Sequence, residues 1–497
     1  MVEVLNTVDK QVDRVEVEAV NSKGNRALFA KRKKIFPKRA SGTFRQFKWA
    51  VMVFTLAIYY FTPWIRWDRG EFTPNQAVLV DLDQGRFYFF FITIWPQELY
   101  YIAGLLIMAG VGLFLITSTV GRAWCGYTCP QTVWVDLFLV IERWIEGDRN
   151  ARIKLDNASW SAPKVFKRLS KHVLWLVIAM MTGGAWVFYF ADAPTLLKNL
   201  LTGNASSIAY STIFVMTSIT YLFAGFMREQ VCTFMCPWPR IQGAMLDERS
   251  LVVTYNDWRG EPRSRHQKKS EVNAQSGDCI DCNQCVVVCP MGIDIRDGQQ
   301  LECITCALCI DACNGVMDKI GRPRNLISYS TLNDYEANMK GERTKTTWRS
   351  FIHARTVVYS AIMIIAALSL LYVLVMRNPV EVNVLHNRNP IFILLSDGSI
   401  RNGYTVKILN KKLQPQEFII SVEGIAGLEM QVAGAETKAQ KEVVLEVPAN
   451  GLESVRLFVR ATASNLKGEQ TPFNFIVRNK DDTEKITHEA VFYQPKN

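Results

Sequence analysis

Twelve cysteines, all between Cys125 and Cys313, are the residues of this 497-residue chain best able to do chemistry. Eight of them form two runs of identical spacing. The first is Cys279-Ile-Asp-Cys282-Asn-Gln-Cys285-Val-Val-Val-Cys289-Pro290, and the second is Cys303-Ile-Thr-Cys306-Ala-Leu-Cys309-Ile-Asp-Ala-Cys313. C-x2-C-x2-C-x3-C, written twice, is the spacing of a two-cluster bacterial ferredoxin. Three thiolates cover one face of a [4Fe–4S] cubane, and the fourth, a helical turn further on, serves the other cluster. On this pattern Cys279, Cys282, Cys285 and Cys313 hold the first cluster, and Cys303, Cys306, Cys309 and Cys289 hold the second. Zinc needs neither four cysteines per run nor the trailing Pro290, so the runs read as iron–sulfur ligands. The second run ends in Asn314 instead of proline, which alters the local turn and leaves the ligand count intact.

The other four cysteines lie in Trp124-Cys125-Gly-Tyr-Thr-Cys129-Pro130 and Val231-Cys232-Thr-Phe-Met235-Cys236-Pro237. This is a weak internal repeat: apolar span, basic residue, C-x3-C-P, amphipathic stretch. Proline disfavours helix at the residue before it and is itself at home in a first helical turn. Cys129 and Cys236 are therefore expected to cap helix N-termini, where the dipole favours thiolate, with Arg122 and Arg228 pushing the same way. Such thiolates suit soft metals such as Cu(I), and Met235 could add a thioether. Copper, a third iron–sulfur cluster and zinc all fit the spacing, whereas buried structural cysteine fits two matched pairs poorly. A disulfide framework would spread cysteines through the chain. Haem is disfavoured, because none of the five histidines (His172, His266, His353, His386, His488) lies mid-span.

These residues need a membrane scaffold. Hydrophobic residues make up 49% of the chain, and the mean hydropathy of +0.05 averages very apolar with very polar stretches. Thirteen Trp, 27 Phe and 16 Tyr suit aromatic belts at two interfaces. Residues 1–46 form a basic cytoplasmic N-terminal segment without a cleavable signal, ending in Lys31-Arg32-Lys33-Lys34 and Lys38-Arg39. A transmembrane domain over 47–227 follows, with spans at about 47–64, 98–119, 173–190 and 208–226 and both C-x3-C-P pairs. The second span is read as opening in the aromatic sequence from Phe87, with Pro96 interrupting it so that the membrane helix proper starts near Glu98. Residues 228–353 carry the ferredoxin-type domain, and a fifth span occupies 357–376. Each span is long enough for a hydrocarbon core of roughly 30 Å. Basic flanks place the N-terminus, the loop after the second span and the ferredoxin-type domain in the cytoplasm. The net charge of +11 is thereby assigned to membrane orientation and not to nucleic acid.

Residues 380–497 change to period-two patterning, with β-branched runs separated by Asp397-Gly398, Asn402-Gly403 and Asn450-Gly451. Seven or eight strands without cysteine predict an antiparallel immunoglobulin-like sandwich. Five crossings would put it in the periplasm of a bacterial inner-membrane protein. The expected fold is thus a five-helix transmembrane bundle, a two-[4Fe–4S] ferredoxin-like cytoplasmic domain and a C-terminal all-β sandwich.

This combination closely resembles the cytochrome c oxidase accessory protein CcoG family, also called FixG or RdxA, over nearly the whole chain. The resemblance rests on Gly121-Arg-Ala-Trp-Cys125-Gly-Tyr-Thr-Cys129-Pro130, Cys232-Thr-Phe-Met-Cys236-Pro237, the double ferredoxin run and the sandwich tail. It implies a metal-ion oxidoreductase that reduces Cu(II) to Cu(I) for assembly of cbb-type oxidases. Cys125, Cys129, Cys232 and Cys236 would be the copper-handling thiolates, fed by the eight ferredoxin cysteines and a cytoplasmic electron donor. Copper ions, a copper-exporting P-type ATPase and cbb-type oxidase subunits are the implied partners. The rival readings are a NapH-like quinol-linked relay, against which the exported sandwich argues, and an oxidase-assembly scaffold with structural or sensory clusters.

Two complete runs predict about eight iron and eight labile sulfide atoms per anaerobically purified chain. Stoichiometric zinc with little iron would overturn this, and about twelve iron would assign a third cluster to the C-x3-C-P cysteines.

Overall fold

The computed structural model describes residues 12, 14–21, 33–70, 73–263, 277–342, 344, 346–412, 414–434, 439–466, 468–480 and 485–495. Much of the basic N-terminal segment, including Lys31 and Arg32, lies outside the described residues. The chain divides into two compact units, Met1–Ile65 with Gln76–Leu370 and Arg66–Asn75 with Leu371–Asn497.

In the first unit, helix α1 (Thr43–Phe61) precedes a three-stranded antiparallel meander, β1 (Val78–Asp81), β2 (Arg86–Phe89) and β3 (Ile92–Ile94). Then come α2 (Tyr100–Val120), α3 (Pro130–Glu146), α4 (Arg149–Asn157), α5 (Ala162–Thr182), α6 (Ala193–Thr202), α7 (Ser207–Thr220) and α8 (Trp238–Met245). The ferredoxin-type part contains β4 (Val252–Tyr255), α9 (Gln284–Val287), α10 (Leu308–Ile320), β5 (Ile327–Ser330) and α11 (Leu332–Met339). Helix α12 (Ala354–Val375) closes the series.

Among the described residues, four helical segments are long and apolar enough to cross a membrane: Pro96–Val120, Ala162–Tyr189, Ser207–Met227 and Ala354–Val375. The five-helix expectation is corrected at its first member. Helix α1 covers most of 47–64, but its N-terminal half is polar, and its inner face buries Arg45 and Lys48 with Met52. Both cations turn onto the buried Asp136 of α3, at 2.7 and 3.7 Å. Burial alone would raise the Asp136 carboxyl, yet Lys48 and Arg45 hold it below its ordinary value. A paired charge can be packed inside protein at a depth where lipid would reject it. The aromatic sequence from Phe87 also departs from expectation. It forms strands, with Tyr88 and Ile94 buried in the meander, while the helix itself begins after Pro96, as expected.

A second buried charge cluster holds α3, α4 and α5 together. Glu142 meets Arg152, Arg228 and Lys171, while Glu146 meets Lys171 at 2.9 Å and Arg168 at 3.2 Å. Arg228 and Arg152 hold the Glu142 carboxyl below its ordinary value against the opposing effect of burial.

The second unit contains an immunoglobulin-like sandwich. One sheet runs β10 (Glu429–Val432), β12 (Gly451–Thr462), β8 (Ser399–Asn410), β6 (Val380–His386), with β7 (Ile393–Leu394) on β8. The other runs β11 (Glu442–Val447), β9 (Gln416–Glu423), β13 (Gln470–Asn479), β14 (Lys485–Tyr493). Phe418, Phe473, Phe475 and Phe492 fill the core between them, around Tyr404. Asn402-Gly403 is not a turn but lies inside β8. The buried Asn402 amide donates to Tyr493 O at 2.8 Å and its Oδ1 accepts from Tyr493 N at 3.0 Å. A Cβ on Gly403 would approach Asn387 Nδ2 to 2.8 Å.

With the four apolar helices crossing, residues 150 and 330 share one side and the C-terminus takes the other, whether or not α1 crosses. Reporter fusions after residues 150 and 330 should read cytoplasmic and a C-terminal fusion periplasmic, and a cytoplasmic C-terminus would overturn that orientation. A periplasmic N-terminal reporter would show that α1 does not cross.

Candidate functional site

The two ferredoxin runs fold as copies of one another. Asp281 and Asn283 in the first, and Thr305 and Ala307 in the second, all have positive φ, between 50° and 59°. Alternating left- and right-handed residues gathers successive N–H groups into a concavity suited to anionic sulfur. Helix α10 sends Cys309 to one site and Cys313 to the other, and Cys285 of α9 and Cys289, two residues past its end, divide in the same way. One cavity is lined by Cys279, Cys282, Cys285 and Cys313. The other is lined by Cys289, Cys303, Cys306 and Cys309, with Cys285 at the shared wall. Apolar neighbours, including Ile295, Ile310 and Val316, keep both sites dry. Burial pushes Cys303 up to about 11 and Cys289 and Cys313 up to about 12. The bare sites therefore hold neutral thiols, and a bound metal centre is what makes them thiolates. An all-sulfur donor set in a dry, amide-lined cradle fits a [4Fe–4S] cluster in each cavity.

The C-x3-C-P pairs form matched π-helical turns, Trp124–Thr128 and Val231–Met235. Each closes with an i→i+5 bond to its second cysteine, Cys129 N to Trp124 O at 2.9 Å and Cys236 N to Val231 O at 2.8 Å. Cys129 caps α3 with Pro130 in its first turn, as expected. Cys236 does not cap α8, because Pro237 takes that place.

These two turns bring all four thiols together. Cys125 lies within electrostatic range of Cys129 and Cys236, and Cys232 within range of Cys125, Cys129 and Cys236. A cross-repeat hydrogen bond helps, as Cys125 Sγ donates to Gln242 Oε1 of α8 at 3.0 Å. Burial pushes Cys125 up to about 11 and Cys232 up to about 12, outweighing Arg122. Arg228 has turned away to Glu142, and Met235 is about half exposed. Among the described residues no three His, Cys, Asp or Glu side chains are gathered closely enough for one metal ion.

The first turn docks directly on the second ferredoxin run. A Cβ on Gly126 would lie 2.6 Å from Ile304 O and 3.1 Å from Cys306 Cα. Tyr127 Oη donates to Cys306 O at 3.3 Å, and Tyr329 Oη donates to Thr305 O at 2.6 Å. Cys125, Cys232, Cys289, Cys303 and Cys306 share one apolar cluster with Ile304 and Val288. Sequence reasoning missed this contact and the residues Gly126, Tyr127 and Gln242. The small residue between two cysteines was its one local signal.

Residues 227–332 match a family described as a 4Fe-4S dicluster domain, residues 102–147 a 4Fe-4S binding domain, and residues 370–495 the Ig-like fold at the C-terminus of FixG. The chain is 54% identical to the nitrogen fixation protein FixG of Rhizobium meliloti, over 97% of each chain. It is 52% identical to the protein RdxB of Cereibacter sphaeroides, over 94% of this chain and 97% of that protein. A solved FixG-related protein from Vibrio parahaemolyticus overlaps 24% of this chain and 97% of its own, at 23% identity and a TM-score of 0.20.

Gly126→Ala tests the docking. Because the obstructing atoms are backbone, the loop must shift, at a cost of roughly 1–3 kcal/mol. Iron per chain and the detergent-solubilised melting temperature should both fall, and unchanged values for both would refute the close approach.

Proposed function

Because the chain belongs to the FixG/RdxA family, we propose that it is a membrane iron–sulfur protein that reduces Cu(II) to Cu(I) for assembly of cbb-type cytochrome c oxidase. The observation that carries the reading is the packing of Cys125 and Cys232 against Cys289, Cys303 and Cys306, with Cys129 and Cys236 within electrostatic range of them.

Cys279, Cys282, Cys285 and Cys313 would hold one [4Fe–4S] cluster and Cys303, Cys306, Cys309 and Cys289 the other, together supplying single electrons when bound. Cu(II) favours nitrogen and oxygen ligands, whereas soft sulfur favours Cu(I). A pocket of buried thiols therefore stabilises the product of the one-electron step over its substrate. A pair of the four suffices for Cu(I), so the site need not converge on one point before copper enters. Gln242 holds Cys125 through the S–H···O bond, which is released when that thiol gives its proton to bind metal. The apolar cluster around Ile304 excludes water from the short path between the two sites.

We place the protein in a bacterial inner membrane, with the ferredoxin runs cytoplasmic and the sandwich periplasmic. Basic residues such as Lys164, Lys167 and Arg168 support that orientation. A cytoplasmic electron donor, a copper-exporting ATPase and oxidase subunits are the proposed partners. A second reading of the same thiols, a third [4Fe–4S] cluster, is favoured by the 4Fe-4S match over 102–147, which contains Cys125 and Cys129.

Cu(II) added anaerobically to dithionite-reduced, desalted protein should bleach the clusters as Cu(I) forms. The Cys232→Ser/Cys236→Ser double variant should lose copper binding and reduction while keeping wild-type iron and cluster spectra. Cys282→Ser should damage one cluster and slow reduction while sparing thiol-based copper binding. Wild-type reduction by the double variant removes copper from these thiols, and loss of about four iron from it selects the third cluster.

A further inference from the structure

The two halves of the membrane-edge site are not equivalent in charge. Aligned on their first cysteines, Gly121 of the first turn matches Arg228 of the second, and both have positive φ, 61° and 43°. Arg122 then matches Glu229, so the first half carries a cation that the second lacks. Arg228, the other candidate, is taken up by Glu142.

Arg122 is only 3% exposed, a burial that an arginine accepts only when its charge is matched. Its Nη1 donates to the carbonyl of Leu301 at the entry to the second ferredoxin run. With Thr305 and Cys303 it lines one wall of an open cavity, whose acidic members, Asp247 and Glu248, lie in the loop after α8. In the other direction Arg122 lies within electrostatic range of Cys125, three residues on, and of Cys232. Its Nε–H has no partner among the described residues. The guanidinium thus stands between the second ferredoxin cavity and the four-thiol site. The first cavity has its own arginine, Arg296, near Cys282 and Cys285 and bound to Asp281 and Asp294 at 2.8 and 2.7 Å.

We propose that Arg122 is a shared counter-cation, serving the second ferredoxin cavity and the four-thiol site at once. Both sites become more negative in use, one when its cluster takes up an electron and the other when thiols become metal-bound thiolates. One fixed positive charge stabilises both changes, so a single residue sets how easily the second cluster is reduced and how firmly Cu(I) is held. The copper half of this inference rests on the function proposed above, and the cluster half does not.

The test uses the full-length chain in detergent, with anaerobic redox titration of the clusters and competition against a Cu(I) chelator. Arg122→Gln should move one of the two reduction waves to lower potential and weaken Cu(I) affinity about fivefold or more, the lower end of ordinary site-to-site coupling. Arg122→Lys, which keeps the charge, should restore most of both. Arg296→Gln should lower the other wave and leave Cu(I) affinity alone. In the unaltered chain, Cu(I) loading should lower the same wave that Arg122→Gln lowers, so the proposal stays testable if a variant loses iron. It is overturned if Arg122→Gln moves neither wave, if it moves the wave that Arg296→Gln moves, or if Arg122→Lys behaves like Arg122→Gln. If Cys232→Ser/Cys236→Ser binds Cu(I) like wild type, the copper reading and the copper half fall together, while the wave shift still judges the cluster half.

Discussion

Sulfur buried in apolar surroundings is stable only as a neutral thiol or as a ligand, and this choice governs the whole first unit. Burial drives Cys125, Cys232, Cys289, Cys303 and Cys313 well above the ordinary thiol range. The two ferredoxin cavities therefore need a bound cluster to hold thiolate and nearby cations to offset the resulting charge. Arg122 and Arg296 supply such cations, near Cys303 and Cys282.

The same economy of charge recurs in the helical part. Asp136 with Arg45 and Lys48, and Glu142 with Arg152, Arg228 and Lys171, are buried groups that tolerate burial only as sets. Removing one member leaves a stranded charge, which costs about 3–5 kcal/mol, far more than an exposed pair is worth. These clusters fix α1, α3, α4 and α5 against one another beside the turns that present the thiols.

Cysteine spacing made most of the metal chemistry legible, because ligand geometry is written locally at C-x2-C-x2-C-x3-C. The sandwich was legible for a similar reason, since period-two patterning is local. What could not be read depended on distant partners. Arg45 and Lys48 look like a membrane flank until Asp136 appears opposite them. Asn402-Gly403 has the composition of a turn, but the far end of β14 recruits the Asn402 side chain into a strand. Arg228 resembles a thiol's companion until Glu142 claims it. The strands at Phe87–Ile94 escaped because aromatic residues suit both an interfacial helix and a half-buried meander.

The four-thiol site is assembled from turns on either side of two long helices, and its floor, Ile304 and Cys306, comes later still in the chain. During synthesis Cys125 and Cys129 leave the ribosome roughly a hundred residues ahead of Cys232, an interval of roughly 5–20 s at ordinary elongation rates. Insertion of α5 and α7 must therefore precede completion of the thiol set, and docking of Gly126 must wait for the ferredoxin runs. Biogenesis is accordingly ordered, with the helical scaffold laid down first and the metal centres filled last.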